Sequence, residues 1–190
     1  MSHLIRLLPA LAGLALSAGV LHPQSQTFAP ANDVSFVIST DSTSAASEEI
    51  NVKYQITNVS NGSLYVPRNP NVNGCLVVGP LHINVWLEDS KGKHFYPGWL
   101  SDCLSGGPRL LGERLSKTAI LLKPRESTDG KLSFDPRLFK LPPGDYRVEA
   151  VLSGWRDDEF SRADLTSLAK WDAPLLRGET PASTRITLTP

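Results

Sequence analysis

Residues 141–152 read LPPGDYRVEAVL. Pro143 presets the backbone angle at the second position of a β-turn and Gly144 supplies the positive angle at the third. The pair therefore reads as a type II turn that delivers the chain into a strand at Asp145. Tyr146, Val148, Ala150 and Leu152 then share one buried face, the period of two expected of a half-buried strand. In a β-sandwich, a tyrosine at the start of a late strand can bury its ring and return its hydroxyl to upstream backbone, the arrangement called a tyrosine corner. Pro143, Gly144 and Tyr146 are read as structural residues.

The same rhythm runs outward from this segment. DVSFVIST places Val34, Phe36 and Ile38 on one face, and EINVKYQITNVS does so with Ile50, Val52, Tyr54 and Ile56. SLYVP ends at Pro67, which has no N–H to give a sheet ladder. LHINVWLEDS sets Leu81, Ile83, Val85 and Leu87 inward and His82, Asn84, Trp86 and Glu88 outward, and DSKGK follows as a hairpin turn. TAILLKP, GKLSF and TRITLTP complete the series, the last with Ile186 and Leu188 inward. Short alternating segments separated by Gly, Pro, Asn and Ser predict an all-β chain, an antiparallel sandwich with one dry and one wet face per sheet. One segment departs from the pattern: SRADLTSLAKW has Ser161 and Asp164 at capping-box spacing and an apolar stripe of Leu165, Leu168 and Ala169, so a short helix is expected near 161–171, before the last strand.

With LPPGDYRVEAVL, INVKYQITNVS and LLKPRES in hand, the chain resembles immunoglobulin-like β-sandwich modules over roughly residues 33 to 153. Among these it is similar to the bacterial domains named after an intracellular proteinase inhibitor, which share the succession of strands and an L-x-P-G-x-Y ending. Arg125 stands where such modules often have glycine, and the loop between Cys75 and Cys103 is not assigned to that family, so inhibitory activity is not carried over.

Residues 1–22 have the form of a signal peptide, with Arg6 ahead of an apolar run from Leu7 to Leu16 and small residues after it. The run is about half the length that spans a bilayer as a helix, so no stable membrane anchor is expected after cleavage. A flexible lead over 23–32 and a single domain over 33–190 follow. The whole chain carries 19 Lys and Arg and 19 Asp and Glu; removing the leader removes Arg6 alone and leaves 18 against 19, a net charge of −1. Scattered and balanced in this way, the charges exclude nucleic acid as a partner and give no basic run for a membrane surface. A secreted or periplasmic protein meets an oxidising compartment, where Cys75 and Cys103 are expected to pair. That bridge would close a 29-residue loop, worth roughly 3 to 4 kcal/mol through the unfolded chain.

Catalytic signals are poor. His82 and His94, with Ser101, Asp102 or Ser105, are the obvious candidates for a nucleophilic triad, and no motif fixes a nucleophile or a metal. His82 occupies an outward strand position, where a polar residue belongs anyway. The acidic run Asp157, Asp158 and Glu159 lacks the spaced ligands of a calcium loop. Asn58 and Asn61 begin N-x-S sequons, which matter only in a glycosylating source. No cofactor is expected. The better hint is aromatic: His82, Trp86, His94, Tyr96 and Trp99 could form a ligand surface for a protein or a carbohydrate. The competing expectation covers Trp86 with the loop from Pro97 to Gly112, or with the C-terminal helix and Trp171, as a second small core. The sequence thus suggests an exported, non-enzymatic binding module presenting loops over 67–80 and 97–112. A proteinase-inhibitor-like domain using Val66 to Asn73, and a hydrolase using His94, are the alternatives.

Overall fold

The computed structural model describes residues 28–67, 82–96, 119–156, 160, 166 and 171–190. In chain order its strands are β1 (Phe28–Ala29), β2 (Val34–Ser39), β3 (Thr43–Ala45), β4 (Ile50–Asn58), β5 (Leu64–Pro67) and β6 (Ile83–Asp89). They continue with β7 (His94–Phe95), β8 (Ala119–Leu122), β9 (Ser127–Phe134), β10 (Gly144–Ser153), β11 (Leu175–Leu176) and β12 (Glu179–Thr189). Besides these, short 3-10 turns cover Ala31–Asp33 and Pro136–Phe139 among the described residues. The protein is all-β through the described residues. The helix expected near 161–171 falls outside them except at Thr166 and Trp171, as do the leader, both cysteines and most of the two long loops.

Among the described residues three sheets form, in the orders β2-β4-β9, β3-β12-β10-β6-β7 and β1-β11-β5-β8. The opening segment lies at the centre of the five-stranded sheet. β10 runs antiparallel to β6 from Tyr146 opposite Asp89 to Leu152 opposite Ile83, and antiparallel to β12 along its whole length. Tyr146, Val148, Ala150 and Leu152 are buried, as their alternation requires. They meet Phe36 and Ile38 of β2, Val52 and Ile56 of β4, and Leu64 and Val66 of β5 in one hydrophobic cluster drawn from all three sheets. Each Val, Leu or Ile fully buried there contributes roughly 1.5 to 3 kcal/mol of transfer free energy.

The tyrosine corner is present: the Tyr146 hydroxyl donates to the Pro142 carbonyl at 2.8 Å. Gly144 has a positive φ, at 151°, but the type II turn expected at Pro143 and Gly144 does not form. That value is more extended than a type II turn's third residue, so Gly144 is already the first residue of the strand. β12 is longer than TRITLTP suggested, starting at Glu179. Its first half lacks large apolar residues and is held by ladder pairing to β10 rather than by burial. Within the lead over 23–32, β1 pairs in parallel with β11 and buries Ala29.

Asn58 closes β4 and is fully buried. Its side-chain amide donates to the carbonyls of Gly62 and Leu122 at 2.7 and 2.9 Å, while its oxygen accepts from the Ser60 N–H and hydroxyl. Main-chain bonds from Asn58 to Glu126 and from Arg125 to Asn58 add to the clasp. With the amide nitrogen enclosed and engaged, Asn58 cannot serve as a glycan acceptor in the folded chain. Arg125 itself takes a left-handed φ of 68° in the turn where Glu126 N–H returns to the Lys123 carbonyl. The position therefore has the backbone geometry that favours glycine, although the side chain is arginine.

The excursion between β10 and β12 builds a second, smaller core. Trp155, Phe160 and Leu175 are buried there against Phe28, Tyr65, Ala119 and Trp171. Tyr65 meets Trp171 edge to face at 4.6 Å and donates its hydroxyl to Asp172. Trp171 does contribute to a second core, as one expectation held, but Trp155 rather than Trp86 is at its centre.

Candidate functional site

Two adjacent rows of outward residues on the five-stranded sheet carry the candidates. Register sets Glu88 of β6 opposite His94 of β7 on one side and Arg147 of β10 on the other, and Arg147 opposite Arg185 of β12. The adjacent row places Trp86 opposite Glu149, and Glu149 opposite Ser183. The hairpin that brings β7 back is fixed by Asp89, whose carboxylate accepts the N–H groups of Lys91 and Lys93 at 2.8 and 2.9 Å, and by Gly92, whose φ of 77° suits glycine. Continuing the β6–β7 register carries Tyr96 alongside Trp86.

Three of the five aromatic and histidine candidates consequently meet. The Trp86 ring lies 6.2 Å from His94 and 6.0 Å from Tyr96, and His94 stands edge-on to Tyr96 at 6.1 Å. Tyr96 is 57% exposed, while Trp86 is half-buried beneath its neighbours. The indole N–H is shielded from solvent and has no partner among the described residues. Beside the rings runs an ion-pair chain. Arg147 donates to Glu88 at 2.9 Å and pairs with Glu149, and Glu88 lies 3.4 Å from the His94 imidazole. The hydrogen bond from Arg147 chiefly holds the Glu88 carboxyl below its ordinary range, helped by the charges of Arg147 and His94. From Glu88 and Arg147 a shallow groove of about 510 Å³ continues past Asp145 to Arg185 and Thr187.

His82 does not join this cluster. Instead of pointing outward it is buried, because β6 begins only at Ile83 and the residue before it is overlaid by the second core. Its ring packs against Trp155 at 5.2 Å, and its Nδ1 lies 2.8 Å from the Ser153 carbonyl. Burial drives its pKa down to about 4 despite that hydrogen bond, which favours the charged form, with a further lowering from Arg156. A neutral imidazole donating from Nδ1 is the state this geometry holds. Trp99, Cys75, Cys103, Ser101, Asp102, Ser105 and the Asp157 to Glu159 run lie outside the described residues.

The cluster offers two aromatic ring faces, an imidazole and an ion-pair chain on one face of the sheet. His94 has an acid on one side and, 3.3 Å from Nδ1, the Tyr96 hydroxyl on the other. Both separations are slightly longer than the roughly 2.6 to 3.2 Å of a proton-transfer hydrogen bond. Among the described residues, no group of three or more His, Cys, Asp and Glu could hold a metal ion, and no helix is long and apolar enough to cross a membrane. The sequence alone did not identify Glu88, Arg147 and Glu149 as neighbours of the rings. Arg147 and Glu149 were visible two apart on one strand, but their link to Glu88 and Trp86 needs the inter-strand register.

No known family matches the chain, and no curated protein does. Solved structures similar to it include a β-glucosidase from Erythrobacter marinus, at 12% identity and a TM-score of 0.41 over 82% of this chain. The CARDB domain of a Pyrococcus furiosus protein is another, at 10% identity and 0.36 over 83% of this chain and 88% of its own. A third is a β-glucosidase from Listeria innocua, at 11% and 0.39 over 83% of this chain. The chain spans only 15 and 16% of the lengths of those two glucosidases.

Proposed function

We propose that the protein is an exported, non-enzymatic binding module of immunoglobulin-like sandwich architecture, using the outer face of the five-stranded sheet around Trp86, His94 and Tyr96. The sheet orders support the architecture: β2-β4-β9 forms one layer and β12-β10-β6 the other, joined by a tyrosine corner at the start of β10. Residues 1–22 support export by their pattern, and one domain over 33–190 agrees with a core shared by the three sheets.

The observation that carries the binding reading is a partly exposed aromatic cluster carried by β6, β7 and the residue that follows β7. Tyr and Trp give large contact area at small entropic cost, and strands hold them without ordering on binding. The test is co-sedimentation of the purified protein with the insoluble cell envelope of the organism that makes it, alongside a Trp86→Ala/Tyr96→Ala variant. The wild type is expected in the pellet and the variant in the supernatant. Equal partitioning of the two would remove this face from the account.

A further inference from the structure

We infer that the ligand of this face is a neutral saccharide. The inference rests on the binding reading above and adds the ligand's chemistry.

A dry protein–protein patch concentrates apolar groups at its centre and keeps charges at its rim. Here Glu88, Arg147 and Glu149 stand in the same two rows as the rings, next to them through the sheet register. A flat protein surface would strip water from those charges, at a cost its contacts would have to offset. Saccharide hydroxyls instead replace that water: they donate to the carboxylates of Glu88 and Glu149 and accept from guanidinium groups. The C–H face of a pyranose meanwhile packs on an aromatic ring.

Charge selects among saccharides. Arg147 is already held by two carboxylates, and among the described residues Arg185 shows no ion pair. With Glu88, Glu149 and Asp145 around it, the face has no surplus of positive charge to attract sulfate or uronate groups. Shape extends the site, because the groove from Glu88 and Arg147 to Arg185 is within the usual volume range of small-molecule sites. One sugar unit at the rings and a second along the groove fill the surface.

The experiment uses the same envelope in three forms: untouched, stripped with proteinase, and oxidised with periodate, which opens the vicinal diols of sugars. Binding is expected to survive proteinase and to fall at least about tenfold after periodate. Tyr96→Ala, at an exposed position, should melt as the wild type does and bind about tenfold more weakly. Binding lost to proteinase but resistant to periodate would overturn the saccharide and leave the binding reading standing. Failure to bind untouched envelope would overturn both, and full binding by Tyr96→Ala would overturn the location.

Discussion

Asn58 makes four side-chain hydrogen bonds in a site closed to solvent. Replacing it with alanine leaves the carbonyls of Gly62 and Leu122 and the Ser60 donors to find other partners, and each net bond is worth about 1 kcal/mol. Asn58→Ala should therefore lower stability by roughly 2 to 4 kcal/mol in urea titration, with unchanged dependence on urea concentration. His82 gives a different signature. Its folded pKa of about 4 lies below the unfolded 6.5, so stability is complete above pH 6.5. It declines as the pH falls, because the unfolded chain takes up a proton that the folded one refuses. The full gap is worth about 3 kcal/mol, of which about 2 should be gone by pH 5, and the loss levels off below pH 4. His82→Gln, which can still donate to Ser153, should show a flatter profile between pH 6.5 and 5. The carboxyls held low by their partners, Glu88, Asp89 and Asp135, lose their contributions at lower pH.

At the scale of elements, period-two burial predicts the strands because each inward side chain is an independent vote for the same face. β2, β4, β6 and β10 were legible in this way, and LPPGDY announced its corner through residues with only one good use. What escaped was whatever depends on pairing. The length of β12 comes from its ladder with β10, the burial of His82 comes from an excursion some seventy residues later, and the Glu88–Arg147 contact comes from register. β9 offers a case in which one residue is explained only by its neighbour across the sheet. Gly130 lies opposite Tyr54, and a Cβ there would collide with the hydroxyl end of the Tyr54 ring. Gly130→Ala should cost about 1 to 2 kcal/mol in thermal unfolding, and the cost should nearly vanish in a Tyr54→Ala background. Across the other sheet, Tyr146→Phe removes the bond to Pro142 and should cost about 1 kcal/mol while leaving the fold intact.

For the whole molecule, division of labour follows from where aromatic residues fall. Trp155, Trp171, Phe28 and Phe160 close a second core, whereas Trp86 and Tyr96 remain on the outer face of the five-stranded sheet. That partition could not be read from composition, since all are aromatic. Only the topology, with β11 joining β1 and β5 and with β7 folding back on β6, separates ring from ring. The most direct measurement of the account is a heteronuclear NMR titration of the isotopically labelled protein with soluble saccharide fragments released from the same envelope. Progressive shifts are predicted for the Trp86 indole and for the amides of Glu88, His94, Tyr96 and Arg147. Shifts confined instead to the groove of about 580 Å³ between Val37, Tyr54 and Lys131 on the opposite sheet, or no shifts at all, would contradict it.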